Sequence, residues 1–267
     1  MDAFEAFGRA IRTIATDKKI WKVPVVLSAV ASALNYVAGR EDVFSVDPSL
    51  VPFGVAVALV IIALALQVPT FYYPTKAYQL RFYGRAINEN ELLRESFVGG
   101  LKAIVVALVY GFLVGLMALV MLIPAIAIYF VLPKSIGIYV AVVLAILPSL
   151  FALGLVSMMV PAYIWTDNFD TGMDLIGDAW REKKETVLFG LIVLLFIFGA
   201  GLISSTLGEV ISWIPGGIVP AILAGLIDGA VSELGNVVTN VAGAEMFLRL
   251  TGRPLWDEKR EQEGQIA

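Results

Sequence analysis

Long apolar blocks alternate with short polar connectors along this chain. The blocks show neither the period-2 alternation of half-buried strands nor the one-sided stripe of soluble helices. At about 1.5 Å per residue, some twenty residues of helix cross ~30 Å of hydrocarbon, and the blocks are of that length. The pattern predicts six spans, over about 21–38, 51–73, 101–123, 138–165, 186–206 and 218–250. Pro24 is placed in the first turn of the first span, where a missing N–H costs little. Phe71, Tyr72 and Tyr73, flanked by Pro69 and Pro74, close the second span like an interfacial aromatic belt. Pro124 permits a kink through which the third helix runs on toward Val131, and Pro148 and Pro161 predict a bent fourth span. Gly111 and Gly115 form a G-x-x-x-G, which lets another helix approach closely.

Three connectors read as amphipathic helices lying in the interface. In residues 3–20, Phe4, Phe7, Ile11 and Ile14 recur at helical spacing, with Glu5, Arg9, Arg12 and Thr16 on the other side. The stretch Thr75–Gly100 places Arg81 and Arg85 one turn apart on a helix. Asn88, Glu89 and Asn90 break it, and Leu92, Leu93 and Phe97 begin a second short piece. In Asp167–Glu185, Met173, Ile176, Ala179 and Trp180 are interleaved with Asp174, Asp178, Arg181 and Glu182. Each of the three precedes a pair of spans. AFGRAI (6–11), FVGGL (97–101) and LIGDAW (175–180) hold comparable places, so three units of interfacial helix plus hairpin tile the chain. Duplication and recurring membrane-entry chemistry both account for that pattern. Gly39–Leu50 and Leu207–Gly217, with its WIPGG turn, read as loops on the opposite side. The expected fold is an all-α integral membrane protein of six transmembrane helices with three amphipathic cytoplasmic interfacial helices. It forms one transmembrane domain over residues 1–250, followed by a charged cytoplasmic tail over 251–267.

Composition narrows the function. The chain is 59% hydrophobic and 16% charged, with a mean hydropathy of +0.84, whereas soluble domains are nearer half apolar and a quarter charged. There is no cysteine, which removes disulfides and thiolate chemistry. There is no histidine, which removes Ser–His–Asp triads, His–zinc sites and a near-neutral imidazole base. Neither G-x-x-x-x-G-K-[ST] nor G-x-G-x-x-G occurs in a phosphate-binding context. The expectation is a protein that is not an enzyme, with no cofactor and no metal. A net charge of −4 implies no nucleic-acid partner. The expected partners are membrane lipids and a homo-oligomer or partner membrane protein. The first twenty residues lack the continuous apolar core of a cleavable signal peptide. The predicted topology puts 17 Lys and Arg on one side, against Arg40 and Lys134 on the other. By the positive-inside rule both termini are cytoplasmic, in the cell membrane.

The last span carries the candidate chemistry. At about 100° per residue, Gly225, Asp228, Gly229, Ser232, Glu233, Gly235, Asn236, Thr239, Asn240 and Gly243 fall on one broad face. Leu223, Ile227, Leu234 and Val241 fall mainly on the other. Small residues with hydroxyls and amides are the usual glue between membrane helices, and Gly225–Gly229 is a second G-x-x-x-G. Packing explains the glycines. It explains Asp228 and Glu233 less well, since no Lys or Arg lies at membrane depth to pair with them, and intramembrane acids mark ion and substrate sites. The readings are a membrane protein handling a small cation or lipid along this face, or a structural or accessory one acting through its interfacial helices and packing faces. Asp228, Glu233, Asn236 and Asn240 are therefore the candidates for an ion or substrate site. No other span carries an acid, so an aspartyl dyad is not expected. Glu245 lies on a different face near the cytoplasmic end and is expected at the interface. Arg81 and Arg85 are candidates for lipid phosphates, beside the plainer role of positive-inside anchoring. Asp167, Asp170, Asp174 and Asp178 form a solvated acidic face, or one that takes cations or a basic partner.

The six spans, the amphipathic helices before each pair, and the segments AYQLRFYGRAI (77–87), SFVGGLKAIV (96–105) and AEMFLRLTGR (244–253) give the chain a family resemblance. It resembles uncharacterised archaeal and bacterial multi-pass families, which are similar to the membrane domain found beside glycerophosphodiester phosphodiesterases. The resemblance implies a fold type and no established activity. It supplies no catalytic residues, and the phosphodiesterase domain has no counterpart in this sequence.

Overall fold

The computed structural model describes residues 2–39, 50–214 and 218–252. Over these it is helical, with no strand. In order come α1 (Asp2–Thr16), α2 (Lys18–Ala38) and α3 (Leu50–Gln67). A short 3-10 turn (Val68–Phe71) joins α3 to α4 (Tyr73–Phe82). Then follow α5 (Glu89–Val131), α6 (Lys134–Thr166), α7 (Phe169–Arg181), α8 (Lys183–Ser212) and α9 (Ile218–Leu250). Six helical stretches are long and apolar enough to cross a membrane: α2, the α3–α4 stretch from Gly54 to Phe82, α5, α6, α8 and α9. Their apolar side chains point outward, with Leu108 70% and Phe112 67% exposed. A soluble monomer rarely shows apolar surface on this scale, and hydrocarbon accommodates it. The chain is a multi-pass membrane protein. The expected loop at 39–50, the end of the WIPGG turn at 215–217 and the tail beyond 252 lie wholly or partly outside the described residues.

The helices run longer than the apolar blocks, because polar residues cap or extend them. The Asp17 carboxylate accepts from the Lys19 N–H at 3.0 Å, so α2 starts at Lys18. Pro24 therefore lies inside the helix rather than in its first turn, and it leaves the Ile20 carbonyl without its helical donor. Residues 207–212 of the expected link are the end of α8. The middle polar connector forms no separate amphipathic helix. Its first half is α4 and its second half is the opening of α5. The reason lies in Gly99 and Gly100, which let α5 press on the end of the preceding span. A Cβ at Gly99 would sit 2.7 Å from the Tyr72 ring, and one at Gly100 would overlap the Val68 carbonyl. The aromatic belt divides accordingly: Phe71 is exposed, Tyr72 donates to Glu95 at 2.7 Å, and Tyr73 is fully buried. The Gly111–Gly115 pair meets nothing within 4 Å among the described residues.

The fold divides into two compact units, one formed by residues 13–102 and 196–238, the other by residues 1–12, 103–195 and 239–267. In the first, α2 packs against α3 and α4. Arg81 pairs with Asp17, Lys19 Nζ reaches the Ile87 carbonyl at 3.5 Å, and the Trp21 indole donates to the Ile14 carbonyl at 3.1 Å. In the second, the chain reverses tightly after α6. Asp167 adopts the left-handed conformation (φ 52°) with its N–H on the Tyr163 carbonyl at 2.7 Å, and Asn168 caps α7 by accepting from the Asp170 N–H at 3.0 Å. So α7 doubles back along α6. Its Phe169 carbonyl accepts from the Tyr110 hydroxyl at 2.6 Å, and Trp180 meets Phe151 edge-on at 5.6 Å. Phe151 is fifteen residues, about 22 Å at 1.5 Å per residue, before the end of α6.

In that unit α1 is also docked. Phe7 packs 5.3 Å from Phe189, the Ala3 N–H donates to Glu185 at 3.2 Å, and Arg249 bonds Asp2 at 2.9 Å and Glu5 at 2.7 Å. The predicted apolar stripe of α1 splits: Phe7 and Ile14 are buried while Phe4 and Ile11 remain exposed. Small residues complete the buried side. Ala3, Ala6 and Ala10 match Gly172, Leu175 and Ala179 of α7 in the register that superposes AFGRAI on LIGDAW.

The hydrogen bond and charge of Arg249 hold the Glu5 carboxyl below its usual value of 4.5. A carboxylate depressed in the folded state stabilises fully above its unfolded pKa, and the contribution is lost as pH falls through the folded value. Glu5 is exposed, so the effect is small. Glu5→Gln is expected to lower the Tm of the detergent-solubilised protein slightly at pH 7. The difference from wild type should close as the pH falls below ~4; a difference that widens on acidification would refute the pairing.

Candidate functional site

Small residues set the site. Gly225 and Gly229 are one turn apart on α9 and face α2 directly. A Cβ at Gly225 would overlap the Ala33 backbone, and one at Gly229 would overlap the Ser28 carbonyl and sit 2.7 Å from the Ala29 Cα. Gly225 meets Ala33 and Gly229 meets Ala29, so the helices run antiparallel at backbone contact, the geometry that small-xxx-small patterns permit. That contact brings Ser28 and Ser32 of α2 to the acids of α9.

Asp228 ties three helices. The Ser32 hydroxyl of α2 donates to its Oδ2 at 3.1 Å, and the Ser204 hydroxyl of α8 donates to its Oδ1. Glu233 is 3% exposed. Its Oε2 accepts from the Asn236 amide at 3.4 Å, and the Ser28 hydroxyl lies beside the same carboxyl. Its Oε1 has no hydrogen-bond partner among the described residues. Along α9 the two acids are five residues apart, about 7.5 Å of rise. Among the described residues no Lys or Arg pairs with either, and no group of three or more His, Cys, Asp or Glu could hold a metal ion. No family model, curated protein or solved structure matches the chain.

The four candidates of α9 are thus not equivalent. Asp228, Glu233 and Asn236 lie in one unit, with Asn236 exposed at the edge of the cluster. Asn240 belongs to the other unit. A helical wheel groups residues by angle and ignores position along the axis. The C-terminal part of the helix also departs from its expected faces: Val241 is fully buried and Glu245, expected at the interface, is only 1% exposed. The serines were missed. The signal for them was present in the S-x-x-x-S of Ser28 and Ser32, which repeats at the same spacing as Gly225 and Gly229.

Arg81 and Arg85 do not share a helix. Arg81 is engaged by Asp17, and Arg85 follows the end of α4, past Gly84 in the left-handed region (φ 67°). Arg85 is exposed beside a polar cleft of about 430 Å³ lined also by Lys76, Gln79 and Glu95. Of the two, Arg85 is exposed and Arg81 is half-buried in its pair with Asp17.

What the α2–α8–α9 cluster offers is oxygen: two carboxyls, three hydroxyls and one amide. Hard oxygen donors suit protons and small hard cations.

Proposed function

We propose that the protein is a non-catalytic membrane protein that binds a small cation, a proton or an alkali ion, at the α2–α8–α9 cluster and passes it along α9. The observation that carries this reading is the buried Glu233 oxygen that has no hydrogen-bond partner among the described residues, one and a half turns from an Asp228 whose carboxylate accepts from the Ser32 and Ser204 hydroxyls. A carboxyl in such a place is costly to bury unless a proton or cation joins it. In the same proposal both termini are cytoplasmic, as the Lys and Arg distribution requires. The helix α1 borders the inner leaflet, with Phe4 and Ile11 toward lipid and its alanine side on the protein. The likeness to the membrane domain found beside glycerophosphodiester phosphodiesterases fits a non-catalytic role.

The test is flux in proteoliposomes. Asp228→Asn is expected to lower proton or sodium flux at least about tenfold, the equivalent of ~1.4 kcal/mol, with little change in Tm. A second reading is favoured by the glycine contacts: the cluster is a structural lock and nothing moves. Flux unchanged from wild type with a lowered Tm would select the lock and refute the cation site.

A further inference from the structure

A second cleft, in the other unit and independent of the cation cluster, has a built chemistry of its own. Pro124 in α5 and Pro148 in α6 each remove one helical hydrogen bond, and both line an open cleft. With α7 and the first turn of α8 they enclose about 580 Å³, within the usual range for ligand sites. Its wall is apolar, formed by Leu144, Leu147, Phe151 and the Trp180 ring among others, and its rim carries Lys183 and Lys184. No acid is paired with either lysine among the described residues. Lys183 Nζ instead lies 5.9 Å from the Trp180 ring centroid, at the cleft mouth.

Two lysines in the first turn of a helix are misplaced for that helix. They sit at the positive end of its dipole, beside backbone N–H groups that lack helical acceptors. Glu185 of the same turn accepts from the Ala3 N–H at 3.2 Å and does not line the cleft, so an anion at the rim meets the two lysines. An apolar cleft bordering hydrocarbon that opens onto a concentrated positive rim matches one amphiphile: a chain for the cleft and a phosphate for the rim.

We propose that this cleft is a binding site for an anionic phospholipid, with the phosphate on Lys183 and Lys184 and an acyl chain against Leu147 and Phe151. The lipid would belong to the leaflet at which α8 begins. It would fill the space beside the two prolines and join α5, α6 and α8 by one ligand.

The test uses the full chain, delipidated in detergent and titrated with phosphatidylglycerol or phosphatidylcholine, with bound lipid counted by native mass spectrometry. Phosphatidylglycerol is expected to bind at least about tenfold more tightly. Lys183→Gln with Lys184→Gln should erase that preference while leaving phosphatidylcholine binding unchanged. Leu147→Trp, which fills the cleft, should reduce retention of both lipids, with helicity checked by circular dichroism. Arg85→Gln, in the other unit, should leave the preference intact, and free glycerophosphate should not compete. Equal binding of the two lipids by wild type would overturn the site. So would a preference that survives the double lysine change, one that is lost in Arg85→Gln, or displacement by glycerophosphate. None of these readouts depends on Asp228 or Glu233, so the lipid site and the cation site stand or fall separately.

Discussion

Gly229→Leu is expected to break the unit around Asp228. Its Cβ would meet the Ser28 carbonyl and the Ala29 Cα, which are backbone atoms that no rotamer change can move aside. The helix α9 must then withdraw from α2, and the Ser32–Asp228 bond goes with the contact. Overpacking costs about 1–3 kcal/mol, and the lost hydrogen bond adds about 0.5–1.5 kcal/mol. A loss of ~3 kcal/mol corresponds to a Tm drop of about 6–12 °C for a chain of this size. Gly111→Leu is the matched control, because nothing lies within 4 Å of Gly111. It should change stability by no more than about 0.5 kcal/mol. Thermal melts of the two variants in one detergent decide the matter. Equal melting temperatures would mean that the α2–α9 contact is not close.

The second large effect is a change of opposite sign in stability and activity at one residue. Glu233→Gln keeps the shape and the Asn236 contact but removes a buried acid whose Oε1 has no partner. Replacing an uncompensated buried ionisable group by a neutral isostere relieves desolvation, by about 1–3 kcal/mol on mutational scales. The variant is therefore expected to melt higher than wild type. If the acid is kept for cation handling, the same variant should lose at least about tenfold in flux, the usual trade between a costly site and a stable fold. A Glu233→Gln protein that is both more stable and fully active would leave the acid without a role in transport.

What the sequence disclosed about this fold was set by the physics each feature uses. The six spans were legible because burying a helix in hydrocarbon needs a run of apolar residues and nothing else. Helix ends were less legible. Asp17 and Asn168 act as caps through single side chains, and Gly99–Gly100 turned the expected middle interfacial helix into the start of α5 through a contact with residues some thirty positions earlier. The same limit separates the two G-x-x-x-G patterns. Gly225–Gly229 meets a partner helix and Gly111–Gly115 meets nothing within 4 Å among the described residues, although the spacing is identical. In the candidate site, Asp228 and Glu233 stood out because charge is rare at membrane depth. Ser28, Ser32 and Ser204 did not, because a hydroxyl in a span costs little and attracts no notice until its partner is placed. Asn240 falls with the acids by angle alone, and it belongs to the other compact unit.

The α2–α9 contact also limits how the two helices can move. Ser28 and Ser32 on one side and Gly225 and Gly229 on the other repeat every four residues, so the surfaces mesh like two short racks of equal pitch. A slide of an ångström or two, or a roll of either helix, drives a side chain into backbone. A shift of one four-residue repeat, about 6 Å, restores the mesh and carries Asp228 from the level of Ser32 to that of a neighbouring turn. Any motion of α9 against α2 is therefore a step of fixed length rather than a continuous drift.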